Sequence, residues 1–195
     1  MDLGIAGIIA EDLKKACEAL HRGGIIVYPT DTIWGIGCDA TNADAVGRIY
    51  ALKQRTDHKA MLVLVDSLSK LYGYVSEVPD IALSLVEVSD KPLTIIYPNA
   101  KNLAFNLLDE DGSVGIRITN ERFSHELCKL FRKPIVSTSA NISGLPSPKM
   151  FSEVAGAVKN GVDYVVRYRQ DETTGAQPSS IIKIFEDGCI KIIRA

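Results

Sequence analysis

The chain has 195 residues with a formal net charge of −2, of which 46% are hydrophobic and 24% charged; that is enough to bury one core and is ordinary for a soluble globular protein. The near-neutral balance excludes a general attraction to nucleic acid, so an anion site has to be a local cluster of Lys and Arg. Cys17, Cys38, Cys128 and Cys189 lie far apart with no CxxC pair, which argues against zinc or a disulfide framework and fits a reducing cytoplasm.

The N-terminal MDLGIAGIIAEDLKK has neither the basic start nor the cleavage site of a signal peptide, and no apolar run approaches the roughly 18 residues of a membrane span. Residues 11–22 carry Leu13, Ala16, Cys17 and Leu20 at the spacing of an amphipathic helix, closed by Gly23. Ile25-Ile26-Val27-Tyr28 reads as a buried strand, broken by Pro29. Thr30, Asp31 and Thr32 follow at its end, and then Gly35 and Gly37, which allow backbone to approach a ligand closely. Thr41, with Asp44 three residues on, reads as a variant capping box. The helix it opens carries Val46, Ile49, Tyr50 and Lys53 on one stripe, so the spacing turns a lysine toward the protein.

Strands are predicted over residues 60–65, 93–97, 114–118, 134–137 and 162–166. Helices are predicted over 67–74, 79–88, 121–131 and 151–159. A terminal hairpin, 180–185 with 189–193, turns on Asp187-Gly188. Alternating strands and helices that end in local pairing predict an α/β domain with a mixed sheet.

Gly35-Ile-Gly37-Cys-Asp-Ala40 matches the dinucleotide-binding pattern on paper, but no helix opens on its glycines, so we read it as a coincidence. His21, His58 and His125 have no metal-ligand spacing. Two segments are more informative. Lys53-Gln-Arg55-Thr-Asp-His-Lys59 joins lysine point charges to an arginine fork, the combination that binds phosphate, although a solvated helix end would also carry such charges. Residues 134–148 open from an apolar strand into Ser137, Thr138, Ser139, Asn141 and Ser143, followed by Gly144 and two prolines. Short hydroxyl and amide groups at a strand end read substrate oxygens without adding charge.

Together these pieces resemble the YrdC/TsaC family of L-threonylcarbamoyladenylate synthases over nearly the full length. The resemblance rests on Tyr28-Pro-Thr-Asp-Thr32 with Gly35-Ile-Gly37, on Lys53-x-Arg55 with Lys59, and on Ser137-Thr-Ser-Ala-Asn141-x-Ser-Gly with Ser147-Pro148. Lys91-Pro-Leu-Thr94, Arg117, Ser179-Ser180 and Arg194 are weaker echoes. The chain departs from the family pattern at Asp90-Lys91, in the Ile-Thr-Asn-Glu after Arg117, and in the terminal Ile193-Arg194-Ala195.

The resemblance implies one YrdC-like domain over residues 1–195, a twisted mixed sheet with flanking helices and a concave basic cavity. It implies a nucleotidyltransferase that makes threonylcarbamoyl-AMP and pyrophosphate from L-threonine, bicarbonate and ATP for the threonylcarbamoyladenosine modification of tRNA. Mg²⁺ would come with ATP, and no dedicated protein metal site is expected. Lys53, Arg55, Ser139 and Asn141 would form the catalytic centre. Lys59, Ser147 and Arg194, with Arg55 and Ser139, would hold ATP; Thr32, Arg117, Ser137 and Ser180 would hold threonine. The product would pass to the tRNA threonylcarbamoyl transferase complex, with direct RNA contact open. Two other readings remain: an RNA-binding module without catalysis, and a carbamoyl-transfer protein related to hydrogenase maturation factors. The absence of a stacking set of aromatics disfavours the first.

Overall fold

A computed structural model of the protein describes residues 3–55 and 61–195. Helix α1 (Leu3–His21) is two turns longer than its predicted stripe, because Ile9 extends the buried row of Ala16 and Leu20 backward. It ends where Gly23 turns the chain at φ +73. Strand β1 (Ile26–Tyr28) follows, then β2 (Gly35–Gly37), a short strand that composition did not reveal. Helix α2 (Ala43–Leu52) is capped by Asn42, not by Thr41, since the Asn42 side chain accepts from the backbone N–H groups of Asp44 and Ala45. Thr41 is engaged instead with Asp39 Oδ1.

The middle of the chain supplies β3 (Leu62–Val65), α3 (Leu68–Tyr74), α4 (Asp80–Val88), β4 (Leu93–Tyr97), β5 (Val114–Ile118) and α5 (Arg122–Phe131). Strand β6 (Ile135–Ser139) runs two residues beyond its predicted end, so Ser139 closes a strand rather than opening a loop. The predicted helix over residues 151–159 is interrupted. A 3₁₀ turn at Phe151–Glu153 and helix α6 (Gly156–Asn160) replace it, with Val154 plugged into the core between them. Strands β7 (Tyr164–Val165), β8 (Ser180–Ile184) and β9 (Ile190–Arg194) complete the fold, the last two joined by the expected turn with Gly188 at φ +81.

The strands form one mixed sheet in the order β7-β1-β2-β6-β3-β5-β4-β8-β9. Pairs β1–β7, β3–β5 and β4–β8 are parallel and the others antiparallel. Side chains alternate across it. Val63, Ile95, Ile116 and Val136 point into the larger core, with α2, α3 and α4. Ile26, Tyr28, Leu64 and Ile135 point to the opposite face, where α1 and α5 close a second core through Leu20, Phe123, Leu127 and Phe131. These two helices pack on β7, β1 and β3. Among the described residues no helix packs on the same face over β5, β4 and β8. Among the described residues no helix is long and apolar enough to cross a membrane.

Candidate functional site

The uncovered face holds a cavity of about 240 Å³. Its floor is the set of strand residues whose parity turns them away from the larger core: Leu62, Thr94, Ile96, Gly115, Arg117 and Ser137. Thr32 and Trp34 form one wall, Ser139 and Ser147 another, and Ser179 with Arg194 a third. Gly35 is needed for closeness here, since a Cβ on it would stand 3.2 Å from Ser137 Oγ. Gly37 serves packing instead: its Cβ would meet Tyr28 Cε1 and the Val136 carbonyl oxygen at 2.6 Å. The expected approach of a ligand to both glycines therefore applies to Gly35 alone.

Arg117 is the charge at the centre. Its register opposite Leu64 on β3 puts it on the cavity face, yet it is only 2% exposed. Nη2 donates to Thr32 Oγ1 at 3.2 Å, and Thr32 Oγ1 lies 3.0 Å from Thr30 Oγ1. Nη2 also stands 3.0 Å from Asp31 Oδ1. That pair is a close approach of charges without hydrogen-bond alignment, for Asp31 Oδ1 and Arg117 Nε are both buried with no hydrogen-bond partner. Burial pushes the Asp31 carboxyl above the usual carboxylate range, although Arg117 pulls it down. An unpaired buried N–H on a guanidinium costs a few kcal/mol unless something is brought to it.

Lys53 is buried, as its place on the α2 stripe predicts, and 2% exposed. Its Nζ donates to the carbonyl oxygens of Ser139 and Asn141, the latter at 2.8 Å, and to Asn141 Oδ1 at 3.2 Å. Ser143 N donates in turn to the Lys53 carbonyl at 2.9 Å. Lys53 thus ties the end of α2 to the end of β6. Burial, helped by the charge of Arg55, brings its ammonium down to about 8. Ser139 Oγ donates to Asn141 Oδ1, and Asn141 Nδ2 to the Leu145 carbonyl, so the hydroxyl–amide turn after β6 is internally braced.

Of the expected site residues, Thr32, Arg117, Ser137, Ser139, Ser147 and Arg194 line the cavity. Lys53 and Asn141 stand behind the Ser139 wall, and Arg55, just past α2, is also off the lining. Lys59 lies outside the described residues. Ser180 is displaced by register: it shares the parity of Ile182 and Ile184, which enter the larger core, and it does not line the cavity. Ser179 takes that place, its Oγ 2.9 Å from Thr94 Oγ1. Arg194 holds Ser179 by donating from Nε to its carbonyl at 2.7 Å, and burial together with Arg117 lowers the Arg194 pKa. Thr94, Ser179 and Asp31 were the residues the motifs underused; the Pro-Leu-Thr94 and Ser179-Ser180 echoes were the sequence signal of the first two, and the Thr-Asp-Thr turn was that of Asp31. The cations on the described lining are Arg117 and Arg194, against the carboxylate of Asp109. Among the described residues no group of three or more His, Cys, Asp or Glu side chains could hold a metal.

Buried hydroxyls ranged around a buried guanidinium, on the uncovered face of a mixed sheet, define an α/β protein with a cavity suited to a small anionic molecule. Residues 18–195 match the family model described as telomere recombination, that of Sua5, YciO and YrdC, and the chain belongs to this family. It is 30% identical over 185 residues to the threonylcarbamoyl-AMP synthase of Photobacterium profundum, covering 93% of this chain and 98% of that one. It is 33% identical over 178 residues to the synthase of that name from Vibrio cholerae, covering 90% and 93%. The structure of P. abyssi Sua5 complexed with L-threonine superposes with a TM-score of 0.79 at 25% identity, over 88% of this chain and 50% of that longer one.

Proposed function

We propose that the protein is a threonylcarbamoyl-AMP synthase acting as a single domain on L-threonine, bicarbonate and ATP. The observation that carries this reading is Arg117: a buried guanidinium with an unpartnered Nε, beside Thr32 and Ser137, in a cavity of hydroxyls. A carboxylate is the ligand that satisfies such a group. The amine of threonine captures CO₂ as a carbamate, and the carbamate oxygen attacks the α-phosphorus of ATP with loss of pyrophosphate. That sequence needs no protein nucleophile. It needs positioning and charge neutralisation, for which Arg194, Ser139 and Ser147 stand on the cavity wall and Arg55 and Lys59 follow α2 in sequence. Mg²⁺ would come with ATP and offset phosphate charge, and Asp109 is the carboxylate that the described lining offers.

The product belongs to tRNA modification in the cytoplasm, with a threonylcarbamoyl transferase as its acceptor. Purified protein is expected to release pyrophosphate from ATP only when threonine and bicarbonate are both supplied. Equal release without threonine would overturn the assignment.

A further inference from the structure

Strands β7 and β8 are consecutive in sequence, but six strands stand between them in the sheet. Residues 166–179 must cross that face, up to about 34 Å along a flat sheet at the spacing of paired strands. Fourteen residues reach at most about 46–50 Å when fully extended, so the connection spans the sheet with slack to spare. Part of that slack is taken up by turns in which Gln170 N donates to the Arg167 carbonyl and Glu172 N to the Arg169 carbonyl, and the remainder carries neither helix nor strand.

Both ends of the crossing are tied. At its root Asp12, wholly buried, accepts from the backbone N–H groups of Arg167 and Tyr168, each at 2.8 Å. Arg169, at φ +68, donates from Nη1 to the Thr30 carbonyl at 3.0 Å and from Nε to Glu172 at 2.7 Å. At the far end Ser179 is held by Thr94 and Arg194. Between these ties residues 173–177 make no hydrogen bond among the described residues. Thr174 and Ala176 lie against Thr32, Trp34 and Lys149 in a seam of only about 10 Å³. Thr32 and Trp34 line both this seam and the cavity.

The cavity is also small for its task. Sites that enclose a ligand of nucleotide size are commonly about 300–1,000 Å³, whereas this one is about 240 Å³. Two substrates have to enter. Residues 173–177, seated beside its Thr32–Trp34 wall, can move without breaking a hydrogen bond.

We propose that residues 173–177 are a lid, which lifts from Thr32 and Trp34 to admit nucleotide and pivots at Arg169 and Ser179. The identity of the admitted ligand rests on the proposed function; the motion does not. Lid segments are drawn from weakly tied stretches between firm anchors, and a residue held at an uncommon φ is a natural pivot.

A reversible lock tests this directly. A Cβ on Gly175 would stand 3.4 Å from Lys149 Cβ, close to the roughly 3.5–4.5 Å spanned by a disulfide. The variant is Lys149→Cys with Gly175→Cys in a Cys189→Ser background, because Cys189 is the exposed native thiol while Cys17, Cys38 and Cys128 are buried. The oxidised form should lose roughly tenfold or more of its threonine-dependent pyrophosphate release and regain it on reduction. Trp34 is the chain's single tryptophan, so acrylamide quenching of its fluorescence reads the seam without any assay of function. Quenching should fall on oxidation and return on reduction. Equal quenching of the two forms overturns the lid, whatever the activity. Full activity of the locked form overturns it too. Failure of the two thiols to pair under diamide would show that the strap does not rest closed, and overturns it as well. Loss of the quenching difference would thus be separable from a wild-type protein that releases no pyrophosphate, which would instead overturn the proposed function.

Discussion

The Lys53 ammonium lies 2.8 Å from the Asn141 carbonyl oxygen, 88 residues on in sequence, and this contact joins a helix end to the turn that follows the central strand β6. A lysine placed so is a brace for the site wall. Its proton, moreover, is held less firmly than usual, at about 8 against an ordinary 10.5.

The sign of the resulting pH dependence follows. Because folding lowers this pKa, the unfolded chain binds more protons than the folded one between about pH 8 and 10.5, so the Lys53 contribution to stability rises with pH across that window. Lys53→Met should flatten this part of the stability curve. It should also leave the Ser139 and Asn141 carbonyls without the ammonium, lowering stability at neutral pH by about 1–3 kcal/mol and turnover with it. Urea melts at pH 7.5 and 9.5 would check this; an unchanged pH slope in the variant would show that Lys53 is not the titrating group.

Lys53 and Arg117 were both legible in the sequence, because each follows from a period: 3.6 residues put Lys53 on the apolar stripe of its helix, and alternation put Arg117 opposite Ile116. What escaped had no period to show. Strand β2 is three residues long and two of them are glycine, and the helix expected over residues 151–159 gives way to a 3₁₀ turn and the short helix α6, with Val154 buried between them. The exchange of Ser179 for Ser180 is a matter of one residue of register, which a serine pair cannot specify. The partner of Arg117, Asp31, sat in plain view in the threonine-rich turn, but nothing local says that a turn residue pairs with a strand 86 residues away.

The two glycines of β2 should separate stability from activity. Gly37→Ala places a methyl 2.6 Å from backbone and ring atoms that belong to the core. The forced shift should cost about 1–3 kcal/mol or more, read as a fall in melting temperature. In Gly35→Ala the nearest atom is the Ser137 hydroxyl at 3.2 Å, so the added methyl intrudes on the cavity wall. Its melting temperature should change little while turnover falls. The reverse pattern would contradict the assignment of Gly35 to the site.

Asp12 offers a stability anchor remote from the cavity floor. It accepts from Tyr164 OH at 2.6 Å as well as from the two backbone N–H groups and Arg167 Nε. Asp12→Ala removes a fully satisfied buried carboxylate and orphans its donors, so a loss of at least about 2 kcal/mol is expected in chemical denaturation. Asp12→Asn retains an acceptor and should recover part of that loss. Equal losses in the two variants would mean that packing, not hydrogen bonding, is the contribution of the side chain.

Arg117 decides the substrate assignment. It is 2% exposed and Asp31 is 13% exposed on the same scale of side-chain accessibility, so neither charge can fall back on bulk water. Asp31 offsets part of the guanidinium charge but leaves Nε unpartnered, and a threonine carboxylate arriving there would complete the arrangement. Arg117→Ala should therefore weaken threonine binding by about 2–5 kcal/mol and leave the affinity for an unhydrolysable ATP analogue nearly unchanged. Arg117→Lys, which keeps the charge and loses the planar fork, should recover little. Removal of Asp31 provides the counter-test. Asp31→Asn leaves Arg117 in place without its nearby negative charge, so threonine should bind at least as tightly as to the native protein. Calorimetric titration of the three variants with threonine distinguishes the cases. If Arg117→Ala binds threonine normally, the carboxylate lies elsewhere, and Arg117 serves only to neutralise Asp31 inside the fold.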